Sequence, residues 1–244
     1  TFSGLVRYDG LQFKNFTHER GNLSSLSSNY IRTVLVTRNG TIWVGTALGL
    51  NRLDARTGQF ERFYFNKWGD DCNNVRFVTE DARGQLWIGT SGGLFVLNPQ
   101  TEQIKQVYLP TDASSKTLVY SIHHILIDGE QVWIGTDLGL YGYHTRTKSF
   151  EVFCKNEELR SIPENSIYSL AKSLKTGHIA IGFRNGTLAL FNPETRLFRK
   201  MPAVPSGSYI ISTMICDKDG TFWVGSYGGG AFAYNEISNQ FTVY

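Results

Sequence analysis

The stretch Gln85-Leu86-Trp87-Ile88-Gly89-Thr90 returns along this chain at nearly constant spacing. Related copies occupy residues 41–46, 131–136 and 221–226, and residues 178–183 carry a further copy in which Ala180 replaces the tryptophan. Their glycines, at positions 45, 89, 135, 182 and 225, are separated by 44, 46, 47 and 43 residues. A repeat of about 45 residues with several strand-like segments is typical of propeller blades.

One repeat can be divided into four strands. Residues 75–79, 85–90, 94–97 and 103–109 are rich in β-branched, aromatic and aliphatic side chains. Asp, Gly, Asn and Pro lie between them, where turns need a preset or a positive φ. In such a blade the repeat tryptophan fills the wedge between neighbours and the glycine permits close backbone approach, so we interpret both as structural.

We therefore predict an all-β protein. Residues 1–244 are expected to form a single portion of a β-propeller with four-stranded blades. A half blade is expected at 1–17. Complete blades are expected at about 30–65, 74–109, 121–154, 166–201 and 210–244. The segment Gly4-Leu5-Val6-Arg7-Tyr8 matches Gly49-Leu50-Asn51-Arg52-Leu53, a third strand. The expectation is that these blades belong to a larger, seven-bladed ring.

Composition and charge narrow the function classes. The chain has 24 Lys and Arg against 21 Asp and Glu, scattered in both signs, which argues against direct nucleic-acid binding. No apolar run approaches the ~20 residues that span a bilayer. Cys72, Cys154 and Cys216 have no metal-ligand spacing, and the pair His123-His124 lacks a third ligand. We expect no metal and no cofactor.

The segment from Asp81 to Leu94, Asp-x-x-Gly-x-Leu-Trp-Ile-Gly-Thr-x-x-Gly-Leu, resembles the two-component regulator propeller repeat, and the likeness recurs in all five units. The resemblance implies the periplasmic sensor region of a Bacteroidetes hybrid two-component system. Such regions sense oligosaccharides, act within receptors that form homodimers, and signal to a histidine kinase. No kinase or DNA-binding domain lies in these residues, so no catalytic residue is expected.

The hairpins from Asp81 to Trp87 and from Asp217 to Trp223 also resemble the Asp-box of sialidase propellers, where the hairpin is structural. A sialidase would need an arginine cluster and a set of acidic groups that we cannot assemble here. The Trp-Asp dipeptide of WD repeats is absent. A propeller glycoside hydrolase or lyase remains a third alternative, after a sensor and after a structural or dimerisation propeller.

Ligand contacts are expected on loops, where the blades differ. Inner strands begin with Ile31, Val75, Ile122, Ile167 and Ile211, and the turns between second and third strands should reach the same face. Trp68, in a polar loop outside the repeat, could contact a ligand or plug the side of the propeller. Arginines could pair with a carboxylate or sulfate, and tyrosines could stack on a sugar. The expected ligand is an oligosaccharide, and an anionic one is among the possibilities. The candidate ligand-binding residues are Arg32, Arg76, His123, Tyr168, Asp137, Arg184, Tyr227 and Trp68.

Overall fold

The computed structural model describes residues 3–110, 120–155, 161–204 and 209–244, and their regular structure is almost entirely β-strand. Six antiparallel sheets follow one another along the chain, a two-stranded sheet and then five four-stranded sheets. In each four-stranded sheet every strand pairs with the next one in sequence. This is the predicted β-propeller architecture, with a half blade and five complete blades.

Contacts divide the chain into two units, Thr1–Ile122 and His123–Tyr244. The first unit holds the half blade and two complete blades, and 3₁₀ turns at Asn66–Trp68 and Asp70–Asn73 connect the two complete blades. Its strands are β1 Leu5–Tyr8, β2 Phe13–Phe16, β3 Ile31–Val36, β4 Ile42–Thr46, β5 Gly49–Leu53, β6 Phe60–Phe63, β7 Val75–Glu80, β8 Leu86–Thr90, β9 Gly93–Leu97 and β10 Ile104–Val107.

The second unit contains the third, fourth and fifth complete blades. The innermost strand of the third blade begins at the last residue of the first unit. The strands are β11 Ile122–Asp128, β12 Gln131–Thr136, β13 Gly139–His144, β14 Ser149–Phe153, β15 Ile167–Lys172, β16 Ile179–Phe183, β17 Leu188–Asn192, β18 Leu197–Lys200, β19 Ile211–Cys216, β20 Thr221–Ser226, β21 Gly230–Asn235 and β22 Gln240–Val243.

Two of the repeat tryptophans pack between blades, as predicted. Trp43 is 1% exposed and shares a hydrophobic cluster with Val75 and Val78 of the second blade. Trp133 is equally buried and packs with Ile167 of the fourth blade. Burying so large a ring removes far more apolar surface from water than a smaller side chain could, so these residues supply much of the energy that joins neighbouring blades.

The repeat glycines bring consecutive blades into contact. A Cβ on Gly45 would lie 2.7 Å from Val75 Cγ1, and one on Gly135 would lie 2.6 Å from Ile167 Cγ2. Gly89 and Gly182 stand in the same relation to Ile122 and Ile211. The apolar residue that begins each inner strand therefore occupies the space that a side chain on the preceding blade would need.

Candidate functional site

In four blades the start of the inner strand and the turn between the second and third strands meet at one end of the blade. The amide of the turn residue donates to the carbonyl of the residue just before the inner strand. These bonds are Ala47 N to Tyr30 O (3.1 Å), Ser91 N to Asn74 O (3.0 Å), Arg184 N to Ser166 O (2.9 Å) and Tyr227 N to Ile210 O (2.9 Å). We call this end of a blade its loop end.

A β-bulge lies at the loop end of four blades. In the first blade Ile31 pairs with Thr46 and Thr33 pairs with Gly45, which leaves Arg32 as the extra residue. The same shift leaves Arg76, Tyr168 and Ser212 as extra residues in the second, fourth and fifth blades. A bulge re-aims the side chain that it carries and is common next to functional sites. The residue that follows the apolar start of the inner strand differs between blades, and in these four blades it also lies in a bulge of the backbone.

In the first unit two bulged arginines are held in different ways. Arg32 is exposed, and its guanidinium carbon lies 4.6 Å from the centre of the Tyr30 ring. Arg76 is half-buried and donates from Nη1 to Ser91 Oγ (3.2 Å), which also accepts a bond from Asn74 Nδ2 (3.0 Å). Both guanidiniums are thus oriented by neighbours at the loop end, which reduces the entropy lost when they bind a ligand.

In the second unit four side chains of the third and fourth blades form one cluster. His123 is buried and its Nε2 lies 2.6 Å from Asp137 Oδ1, the same oxygen that accepts a bond from Ser166 Oγ (3.1 Å). The His123 ring stacks on the bulged Tyr168, with centroids 4.1 Å apart and planes at 18°. The cluster joins a turn, two strand starts and the residue before one of them, so it fixes the loop ends of two blades together.

The geometry of this cluster is suited to binding. A nucleophilic serine needs a histidine that takes its proton, but the Ser166 hydroxyl donates to Asp137 instead. Asp137 has 42% of its side chain exposed, so its carboxylate reaches the surface beside the Tyr168 ring. Within the four described ranges, no three His, Cys, Asp or Glu side chains are grouped so that they could hold a metal ion.

The other candidate residues take different positions. Arg184 is exposed at the loop end of the fourth blade, and Tyr227, 78% exposed, is at the loop end of the fifth. Trp68 is half-buried on the side of the first unit, with its ring centre 5.0 Å from that of Phe95 and 6.5 Å from that of Phe65. Of the two roles considered for Trp68, its packing supports the plug, although part of its ring stays accessible.

Sequence reasoning missed several members of these loop ends. Tyr30, Asn74 and Ser166 each stand immediately before the apolar start of an inner strand and contact a candidate residue or its partner. The position before Ile31, Val75 and Ile167 is polar or aromatic in each of these blades. A comparison of the repeats at that position would have predicted these three residues.

The Asp-box-like hairpins have a structural role in both copies. Asp81 Oδ2 accepts a bond from Trp87 Nε1 (3.0 Å), and Asp217 Oδ2 accepts one from Trp223 Nε1 (2.9 Å). Their Oδ1 atoms accept backbone amides of the same turns. These hydrogen bonds, led by the indole of Trp223, lower the pKa of Asp217 below its usual value of 3.8.

Known proteins share sequence similarity with three segments of this chain. A family model described as a two-component regulator propeller matches residues 25–47, 69–92 and 205–228. The first two matches include the loop-end residues Arg32 and Arg76 of the first unit, and the third includes Tyr227. The sequence is 27% identical over 220 residues to a curated protein from Formosa agariphila named histidine kinase P4. This match covers 84% of the chain and 16% of that protein.

Solved structures have the same fold. One, described as the extracellular domain of a hybrid two-component system from B. thetaiotaomicron, is 23% identical with a TM-score of 0.56, and the match covers all of this chain and 39% of that one. PorZ, a surface component of the type-IX secretion system of Porphyromonas gingivalis, is 17% identical with a TM-score of 0.72 over 98% of this chain and 37% of its own. The chain thus spans less than two-fifths of these structures. No helix in the described ranges is long and apolar enough to cross a membrane.

Proposed function

Because a two-component regulator propeller model matches three segments of the chain, we propose that the chain is a ligand-sensing propeller of an extracytoplasmic sensor. In this proposal the chain lies in the periplasm, binds an oligosaccharide and passes the signal through other domains of its receptor, a homodimer, to a histidine kinase outside these residues. The chain itself performs no reaction. The relatives described as a histidine kinase and as a two-component extracellular domain support this assignment.

The observation that carries the proposal is the bulge at the start of the inner strands. The same backbone device presents Arg32, Arg76, Tyr168 and Ser212 at loop ends, while the surrounding frame repeats. Aromatic rings bind the apolar faces of sugars, and charged or amide groups bind hydroxyl, carboxylate and sulfate groups. A constant frame that presents different polar and aromatic groups is suited to recognising an extended polar ligand.

A panel of neutral and acidic oligosaccharides, titrated by calorimetry, tests this proposal. We expect Arg32→Ala and Arg76→Ala each to weaken binding about tenfold, the effect of losing one charge-assisted contact. Arg83→Ala is the matched control, because Arg83 is exposed in the turn between the first and second strands of its blade. Absence of binding across the panel, or equal affinities for all three variants, would contradict loop-end sensing.

A structural or dimerisation propeller, with the ligand bound by other domains of the receptor, is the second candidate. If this is the main function, Arg32→Ala should leave the ligand affinity of the receptor unchanged.

A further inference from the structure

A groove on the side of the first unit lies away from the loop ends. One wall is formed by Tyr64 and the 3₁₀ turn Asn66–Trp68, and the other by residues 102–105 at the start of β10. Its volume is about 510 Å³, within the range of small-molecule sites, which is about 300–1,000 Å³. The groove therefore has room for one or two sugar rings.

Two aromatic side chains line this groove and are held in place by the fold. Trp68 packs against Phe95 inside the unit, so its ring is anchored on one side. Tyr64 is 45% exposed, and its ring lies against Gly49, where a Cβ would be 3.3 Å from Tyr64 Cδ1. Fixed and accessible aromatic rings are suited to stacking on the C–H face of a pyranose, since little side-chain entropy is lost on binding.

The charged groups of the groove are predominantly basic. Lys67 and Lys105 line it, and neither pairs with a carboxylate in the described ranges. The one acid of the lining, Glu102, is already bound by Arg52 Nη2 at 2.7 Å. Lys67 Nζ lies 3.9 Å from the centre of the Trp68 ring, which holds an ammonium group beside the aromatic wall.

We propose that this lateral groove is a second binding site, which takes a sugar unit bearing a carboxylate or sulfate. Lys67 leaves the Trp68 ring to meet the anionic group, and the two rings then bind the apolar face of the sugar. Gln103 and the amide nitrogen of Asn66, whose Oδ1 already accepts a bond from Asn73, lie on the groove walls for its hydroxyls. Lys67 and Lys105 pair with its anionic group. A neutral sugar would make no charge-assisted contact with the two ammonium groups, so it should bind more weakly.

The test uses this chain with a trisaccharide of uronic acid residues and the matching trisaccharide whose carboxylates are reduced to hydroxymethyl groups. We expect the acidic form to bind at least about tenfold more tightly and to change the tryptophan fluorescence. Lys67→Met with Lys105→Met should reduce that affinity at least about tenfold. Trp68→Phe should remove most of the fluorescence change, because Trp68 lines the groove. A sulfated trisaccharide run alongside identifies which anion is preferred.

Lys200→Met is the matched control, because Lys200 is also exposed on the fourth strand of a blade and lies outside the groove. Circular dichroism of each variant checks folding. Equal binding of acidic and neutral trisaccharides, no binding of either anionic form, or insensitivity to the paired lysine substitutions would overturn this inference. Glycan binding that is lost in Arg32→Ala but retained in the lysine variants would overturn the lateral site alone and leave loop-end sensing intact.

Discussion

Arg52 and Arg196 place their guanidinium groups over corresponding repeat tryptophans, although they come from opposite sides of a blade interface. Arg52 lies on β5 of the same blade as Trp43, with Cζ 5.6 Å from a ring centre. Arg196 lies in the outer hairpin of the fourth blade and reaches Trp133 of the third, at 5.7 Å. The position beside the tryptophan is thus filled by the same chemical group from two different places in the repeat.

The register of the third blade explains this exchange. Gly142 faces Trp133 at the place where Arg52 faces Trp43. A Cβ on Gly142 would be 2.8 Å from Trp133 Cζ3, so no side chain fits there and the guanidinium comes from the next blade. Both arginines also bind a glutamate on the fourth strand of the tryptophan's blade, Glu61 for Arg52 and Glu151 for Arg196.

Arg196→Ala should lower the free energy of unfolding by about 1 kcal/mol, because it removes a cation–π contact and a two-point ion pair that is partly exposed. Chemical denaturation measures this change. Arg146→Ala is the control, since Arg146 is 72% exposed and, among the residues that the structure describes, forms an ion pair with Glu130 alone. An equal loss in both variants would show that the position over Trp133 contributes nothing of its own.

Gly135→Ala should destabilise the protein by about 1–3 kcal/mol, because the new methyl group would lie 2.6 Å from Ile167 Cγ2. The cause is steric, so removing the opposing methyl groups should relieve it. We expect Gly135→Ala combined with Ile167→Ala to be less destabilised than the sum of the single variants, with a coupling energy of about 1 kcal/mol in denaturant titrations. Simple additivity would contradict direct contact between these two positions.

The sequence was sufficient to predict the frame of this fold. Trp43 and Trp133 fill blade interfaces, and Gly45 and Gly135 contact the first residue of the next inner strand. Because the same packing recurs from blade to blade in a propeller, the same residue types recur at a fixed spacing in the sequence. The bulge at Arg32 has no recurring residue type in the sequence that would predict it. It depends on the register between β3 and β4, which a single strand pattern does not encode.

The lateral groove could not be predicted for a different reason. Trp68 looked like an isolated aromatic in a polar loop, and its partner Phe95 belongs to the third strand of the next blade. Tyr64 and Lys105 are likewise distant in sequence and share a groove only after β6 and β10 have formed. Sites built from non-repeating residues of successive blades depend on tertiary packing that the repeat does not describe.

Asp217 should contribute to stability at neutral pH and lose that contribution in acid. Its pKa is lowered in the folded chain, chiefly by the Trp223 indole, so the unfolded state takes up a proton first as the pH falls. Asp217→Asn should therefore be less stable than the original chain at about pH 6, with the difference narrowing as the pH falls below about 4. Denaturant titrations at several pH values measure this, with Asp219→Asn as the control in the same turn. A difference that stays constant with pH would contradict a contribution from the charge.

His124 should make the fold less stable in mild acid, in a pH range above that of Asp217. Burial lowers the pKa of its imidazole from 6.5 to about 4. The unfolded chain therefore binds a proton at His124 between these values while the folded chain does not, and stability falls as the pH decreases through that window. The loss is at most about 3.5 kcal/mol, because each pKa unit corresponds to about 1.4 kcal/mol. His124→Gln should flatten the stability profile between about pH 6.5 and 4, whereas His144→Gln, on a half-buried histidine of the same blade, serves as the control. Thermal melts across this range provide the measurement. An unchanged slope in His124→Gln would mean that other groups cause the acid sensitivity.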